Sequence, residues 1–164
     1  MRVLVLNGGL LSRYVVPAIR AQGYEPEVVD CTGDDGAMSR ALAGAFSGDE
    51  LFCTVEHDVE APMGSLAWLE HCPDMWCFHG YDIRGRSWDE LVEVGNLGWL
   101  APLGLTRFRP EALRGALAPV LGDPGWADTW QSRDTLISRA LVDAGITPHR
   151  HRPDAIHHHD YSGV

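Results

Sequence analysis

The first half of the chain alternates short apolar runs with helical patterns, and few architectures accept that order. Val3 to Leu6 reads as a buried strand that breaks at the turn Asn7-Gly8-Gly9. Tyr14, Val15, Ala18, Ile19 and Ala21 then recur at helical spacing and stop at Gly23, with Pro17 either kinking this helix or lying in its first turn. Glu27 to Asp30 is a second strand, Thr32 to Gly36 a polar loop, and Ala37 to Phe46 a second helix. Leu51 to Val55, Gly64 to His71 and Met75 to Phe78 continue the series as strand, helix and strand. Parallel neighbours need crossovers of helical length, so the order predicts an α/β fold with a mostly parallel sheet covered by helices.

The second half changes character. Tyr81 to Gly104 is rich in Gly and Trp, with one short helix expected over Trp88 to Val94. Pro110 to Leu121 reads as a helix opened by proline, where the missing N–H costs nothing. Thr135 to Ala144 carries the clearest helical stripe, from Leu136 and Ile137 to Ala140, Leu141 and Ala144, and Gly145 closes it. A histidine-rich strand or loop follows. With no internal repeat, linker or second core in the pattern, residues 1–164 are expected to form one domain, divided near residue 80.

Charge narrows the partners. The net charge is -10, so polyanionic nucleic acid and anionic membrane surfaces are disfavoured. All 13 basic residues are arginine, which removes Schiff-base lysine chemistry and the P-loop. Cys31, Cys53, Cys72 and Cys77 are too scattered for a disulfide framework. No apolar run nears the roughly 18 residues that span a bilayer. The opening Met1 to Leu6 run is also too short for a secretory signal, so a cytoplasmic protein with reduced thiols is expected.

Five groups of residues could carry chemistry or bind a ligand. Ligands of open α/β sheets bind at the carboxyl ends of the strands, and the strand from Leu51 delivers Glu56 and Asp58 there. Two hard carboxylates suit a divalent cation and, through it, a diphosphate; the same run also fits a solvated acidic turn. The His157-His158-His159-Asp160 cluster, extended upstream by His149 and His151, offers imidazole ligands for a metal, or forms a polar tail. His71, Cys72, Cys77 and His79 present four N/S ligands for zinc, but at none of the usual spacings, and buried cysteines also serve as core. Asp134 fits a helix N-cap, or a general base if the cap lies at a pocket rim. Trp99, Trp126 and Trp130 fit either core positions or sugar-stacking platforms.

Taken in order, the segments VLVLNGG, AIRAQGYEPEVVDCTGDDG, LFCTVEHDVEAPMGSLAWLE, LGLTRFRPEAL and RDTLISRALVDAG resemble the GT-A glycosyltransferases, particularly the inverting family 2 type. Glu56-His57-Asp58 corresponds to that family's D-x-D metal motif. Arg133-Asp134 corresponds to its E-D pair, with arginine in place of the glutamate. The resemblance implies a GT-A-like twisted sheet and a metal-dependent transferase moving a sugar from a UDP- or GDP-sugar to an acceptor hydroxyl. It places Asn7 and Asp30 beside the nucleoside and Glu56 at ribose or metal. Asp58 with His157 or His159 would hold Mn2+ or Mg2+, and Asp134 would be the general base. The short acceptor half and the tryptophans suggest a homodimer. A metal-dependent phosphoesterase or nucleotidyltransferase, and a non-catalytic nucleotide-sugar-binding module, are the alternative functions.

Overall fold

Apolar runs of alternating facing become strands with two buried sides, and this decides where the helices go. The computed structural model describes residues 1–82, 85–95, 100–123 and 133–158. In chain order the elements are β1 (Arg2–Asn7), α1 (Val15–Arg20), β2 (Pro26–Asp30), α2 (Asp35–Ser47), β3 (Phe52–Glu56), β4 (Val59–Glu60) and α3 (Ser65–His71). They continue with β5 (Trp76–Tyr81), α4 (Trp88–Gly95), β6 (Leu105–Phe108), α5 (Pro110–Leu121), α6 (Arg133–Asp143) and β7 (His149–His157). Pro17 falls in the first turn of α1, where it breaks no helical hydrogen bond.

Among the described residues the strands form one sheet in the order β2-β1-β3-β6-β5-β7-β4. The fold is α/β, as the element order predicts, but the sheet is mixed rather than mostly parallel. β1 runs parallel to β2 and β3, and β5 parallel to β7. β6 lies between β3 and β5 and runs antiparallel to both, while β4 is antiparallel to β7. The sequence reading contains neither β4 nor β6. β4 has only two residues. β6 is fully buried, yet a fully buried arginine, Arg107, stands in its middle and interrupts the apolar run.

The central strands β1, β3, β5 and β6 feed two cores because successive side chains point to opposite faces. On one face Leu4, Leu6, Phe52, Trp76, Phe78 and Phe108 pack against α2, α5 and α6 through Leu42, Phe46, Leu113, Leu117, Ile137 and Leu141. Phe46 meets Phe52 and Phe108 edge-on, with centroids 5.0 and 5.2 Å away. On the other face Val3, Val5, Cys53, Val55, Cys77 and Leu105 pack against α1 and α3 through Val15, Ile19, Leu66 and Leu69. Helices thus cover both faces. Gly23 (φ +86°) and Gly145 (φ +79°) end α1 and α6 in the left-handed conformation. After Gly145, Ile146 N–H donates to Leu141 and Gly145 N–H to Val142, satisfying the last carbonyls.

The buried Arg107 reaches the α3 side of the sheet. It donates from Nε to Leu69 O (2.9 Å), from Nη1 to Asp74 O (2.7 Å) and Met75 O (3.3 Å), and from Nη2 to Cys72 O (2.8 Å). One side chain therefore bonds four carbonyls of the connection between α3 and β5, and Arg109 adds bonds to two of them.

Candidate functional site

The parallel strands bring their carboxyl ends to one edge of the sheet. β2 ends at Asp30, β1 at Asn7, β3 at Glu56, β5 at Tyr81 and β7 at His157. Asn7 and Asp30 are direct partners across β1 and β2. Asp30 is exposed, and its Oδ1 accepts from Thr32 N–H (2.9 Å) and the Thr32 hydroxyl (2.6 Å). Those bonds hold its carboxyl below the usual carboxylate range.

At β3 the strand ends on Glu56, and His57 and Asp58 form the turn into β4. Burial in this turn brings Asp58 against a residue 99 positions away. His157 Nε2 lies 3.1 Å from Asp58 Oδ2, and His57 Nε2 4.0 Å from the same oxygen. The other ring nitrogen of His157, Nδ1, lies 2.7 Å from Asp82 O and donates to it, so Nε2 is the nitrogen turned to the carboxylate. A hydrogen bond to Asp58 raises the His157 pKa. Two backbone bonds lock this corner, from His158 N–H to Asp58 O and from Ser12 N–H to His57 O, both 2.8 Å. His158 turns aside: its Nε2 is 2.8 Å from Glu60 Oε2 and its ring stacks on Tyr14.

Glu56 is half-buried, and the Tyr81 hydroxyl donates to its Oε2 at 3.0 Å. Burial, then the negative charge of Asp58, pushes its carboxyl up to about 7. Asp134, in the first turn of α6, is close enough that its charge raises the pKa of both Glu56 and Tyr81. Burial raises Asp134 itself, opposed by the Thr135 N–H that donates to its Oδ1 at 2.7 Å. Its neighbour Arg133 is fully buried and donates from Nε to the Ser39 hydroxyl, which gives the arginine at that position a packing role.

The structure thus gathers Glu56, Asp58, Asp134 and His157 in one place, with Asn7 and Asp30 further along the same edge. His159, Asp160, Trp99, Trp126 and Trp130 lie outside the described residues. Tyr81 is the member that sequence reading missed. The strand from Met75 was expected to stop at Phe78, whereas β5 continues three residues further, past a register shift between His79 and Tyr81. Gly104 backs the phenol so closely that a Cβ there would collide with its ring.

Asp58 and His157 are the residues that could hold a divalent ion here, through one carboxylate oxygen and one imidazole nitrogen. Magnesium-like ions take one or two protein ligands and complete their shell with phosphate oxygens and water. Asp58 supplies a carboxylate and His157 a ring nitrogen whose orientation is fixed by its partner carbonyl, the arrangement typical of metal-ligating histidines.

No protein-family model matches the chain, and no curated protein does. Among solved structures it is similar to a glycosyltransferase involved in the glycosylation of the major capsid of PBCV-1. The identity is 14% and the TM-score 0.45, over 96% of this chain and 93% of that one. Among the described residues, no helix is long and apolar enough to cross a membrane.

Proposed function

We propose that this chain is a metal-dependent glycosyltransferase that moves a sugar from a nucleotide-diphosphate donor to an acceptor hydroxyl, with inversion, on a GT-A-like sheet. The observation that carries the reading is the Asp58–His157 pair, joined across the chain at 3.1 Å on the carboxyl edge beside Glu56 and Asp134. The ordered sequence resemblance to family 2 supports it independently of that geometry.

Asp58 and His157 would hold Mn2+ or Mg2+, which when bound neutralises charge on the departing diphosphate. Asn7 and Asp30 line the edge where the nucleoside would lie; a UDP- or GDP-sugar is the expected donor. Glu56, gripped by Tyr81, would accept a hydrogen bond from the ribose or complete the metal shell. Asp134 would take the proton from the acceptor hydroxyl as it attacks the anomeric carbon. Its raised pKa makes it a stronger base than an exposed aspartate. The metal also explains how a chain of net charge -10 would bind an anionic donor.

Calorimetry with UDP and GDP, with and without Mn2+, tests the donor site on the wild type and Asp58→Ala. Metal-dependent binding that the variant loses is the expected result. Equal binding by both proteins, or none by either, would remove the proposal. Product analysis then separates reaction classes, since sugar transfer releases a nucleoside diphosphate and hydrolysis a monophosphate or phosphate.

A further inference from the structure

A second cluster of ligating side chains lies on the α3 side of the sheet, built from two separate stretches of chain. In the parallel register of β5 and β7, His149 is the partner of Cys77 and His151 the partner of His79. His149 and His151 are two apart on one strand, so they share a face. Cys72, the residue that caps α3, comes onto that face from the side. One ligand atom from each of Cys72, His149 and His151 falls within 4.8 Å of the others. Cys72 Sγ is 3.3 Å from His149 Nδ1. Asp74 joins them, with its Oδ2 2.6 Å from His149 Nδ1 and 3.5 Å from Cys72 Sγ.

We infer that Cys72, His149 and His151 form a zinc site, with Asp74 hydrogen-bonded beside it. The donors are one cysteine sulfur and two imidazoles, all ordinary zinc ligands, with the Asp74 carboxylate against one of the imidazoles. Tetrahedral zinc, with bonds of about 2.0–2.3 Å, sets its ligand atoms about 3.3–3.6 Å apart. The separations around Cys72 Sγ already have that scale. His151 Nε2 is buried with no hydrogen-bond partner among the described residues.

Arg107 fixes the frame, since its guanidinium holds the carbonyls of Cys72 and Asp74. The zinc candidates in the sequence run HCPDMWCFH are therefore regrouped. His71 turns outward to Ala67 O, and Cys77 is buried in the apolar core. Only Cys72 of that quartet joins the cluster. The three ligands come from the α3–β5 connection and from β7, so the ion would tie that connection to the start of β7.

Cobalt(II) substitution reads this site directly. Full-length protein stripped with a chelator is titrated with Co2+. One equivalent should give a thiolate-to-cobalt charge-transfer band and the intense d–d bands of tetrahedral cobalt, both removed by one equivalent of Zn2+. Cys31→Ser and Asp58→Ala should keep the bands, because neither contributes a ligand. Cys72→Ser should lose the charge-transfer band. His149→Gln, at an exposed position, should weaken binding by about tenfold or more and covers the case in which Cys72→Ser does not fold. A wild-type spectrum without the charge-transfer band would overturn the assignment, as would unchanged affinity in His149→Gln. Retention of Zn2+ binding in Asp58→Ala separates this site from the proposed donor site.

Discussion

Replacing Arg107 with lysine keeps the positive charge but removes the fork that serves four carbonyls. Arg107 is fully buried, and Leu69, Cys72, Asp74 and Met75 each accept from it at 2.7–3.3 Å. A lysine ammonium is a point donor on a different stem, so it can replace about two of those contacts at most. Each hydrogen bond from a charged donor that is lost costs roughly 1.5–3 kcal/mol. Two lost contacts therefore predict a destabilisation of about 3 kcal/mol. With a urea slope of about 2 kcal/mol/M, the unfolding midpoint should fall by about 1.5 M. The melting temperature should fall by about 6–12 °C. Arg2→Lys is the control, because Arg2 makes an exposed pair with Glu27 and a change there should cost less than about 0.5 kcal/mol. Urea titrations followed by circular dichroism provide the comparison. A midpoint shift below about 0.3 M for Arg107→Lys would refute the idea that this one guanidinium organises the connection.

Two glycine substitutions should act with opposite signs in the same assay. Gly44→Ala, in the exposed interior of α2 with open space around it, should stabilise by about 0.5–1 kcal/mol. Gly104→Ala forces its Cβ into the Tyr81 ring and should cost about 1–3 kcal/mol; equal effects would contradict the described packing. Phe46→Ala removes the ring that Phe52 and Phe108 enclose and should cost about 3–5 kcal/mol by denaturant titration, a loss under about 1 kcal/mol being the contrary result. Glu70 accepts from the Tyr24 hydroxyl at 2.5 Å, and that bond lowers its folded-state pKa. Its contribution is therefore complete above the ordinary carboxylate range and lost as pH falls through the lowered value. Wild type should exceed Glu70→Gln by about 1 kcal/mol at neutral pH, with the gap closing in acid; a gap that widens in acid would reverse the assignment.

Periodicity made most of the fold legible because each helix and most strands carry one dominant pattern. Leu4 and Leu6 against Val3 and Val5 already separate two faces, and α6 shows its stripe before any partner is known. β6 was hidden for a physical reason. A strand buried on both faces reads as an apolar run, and Arg107 breaks that run while being satisfied by carbonyls that only the folded chain supplies. The mixed direction of the sheet followed from the same omission, since β6 is the antiparallel strand at its centre. Asp58, Asp134 and His157 were each legible as candidates by residue type. Their company was not, because no spacing rule links residues separated by 99 positions. Tyr81 carried only a weak signal, an aromatic side chain just past the expected end of a strand.

β7 connects the two candidate sites, and its composition explains why it depends on them. Ala155 is the one fully buried residue along its nine positions, so apolar burial contributes little to holding this strand in place. Its arginines reach outward: Arg150 pairs with Asp89 and Asp154, and Arg152 pairs with Asp89. Partly exposed pairs of this kind are worth at most about 1 kcal/mol each. What remains is backbone pairing to β5 and the histidines at both ends. His149 and His151 meet Cys72 at the start of β7, and His157 meets Asp58 at its end. His79 Nδ1, in between, lies 2.6 Å from Pro153 O. An ion at Cys72 would fix the beginning of the strand whose last residue completes the Asp58 pair. The histidine bias of the C-terminal segment thus adds side-chain contacts along a poorly buried strand that backbone ladders to β5 and β4 hold in the sheet.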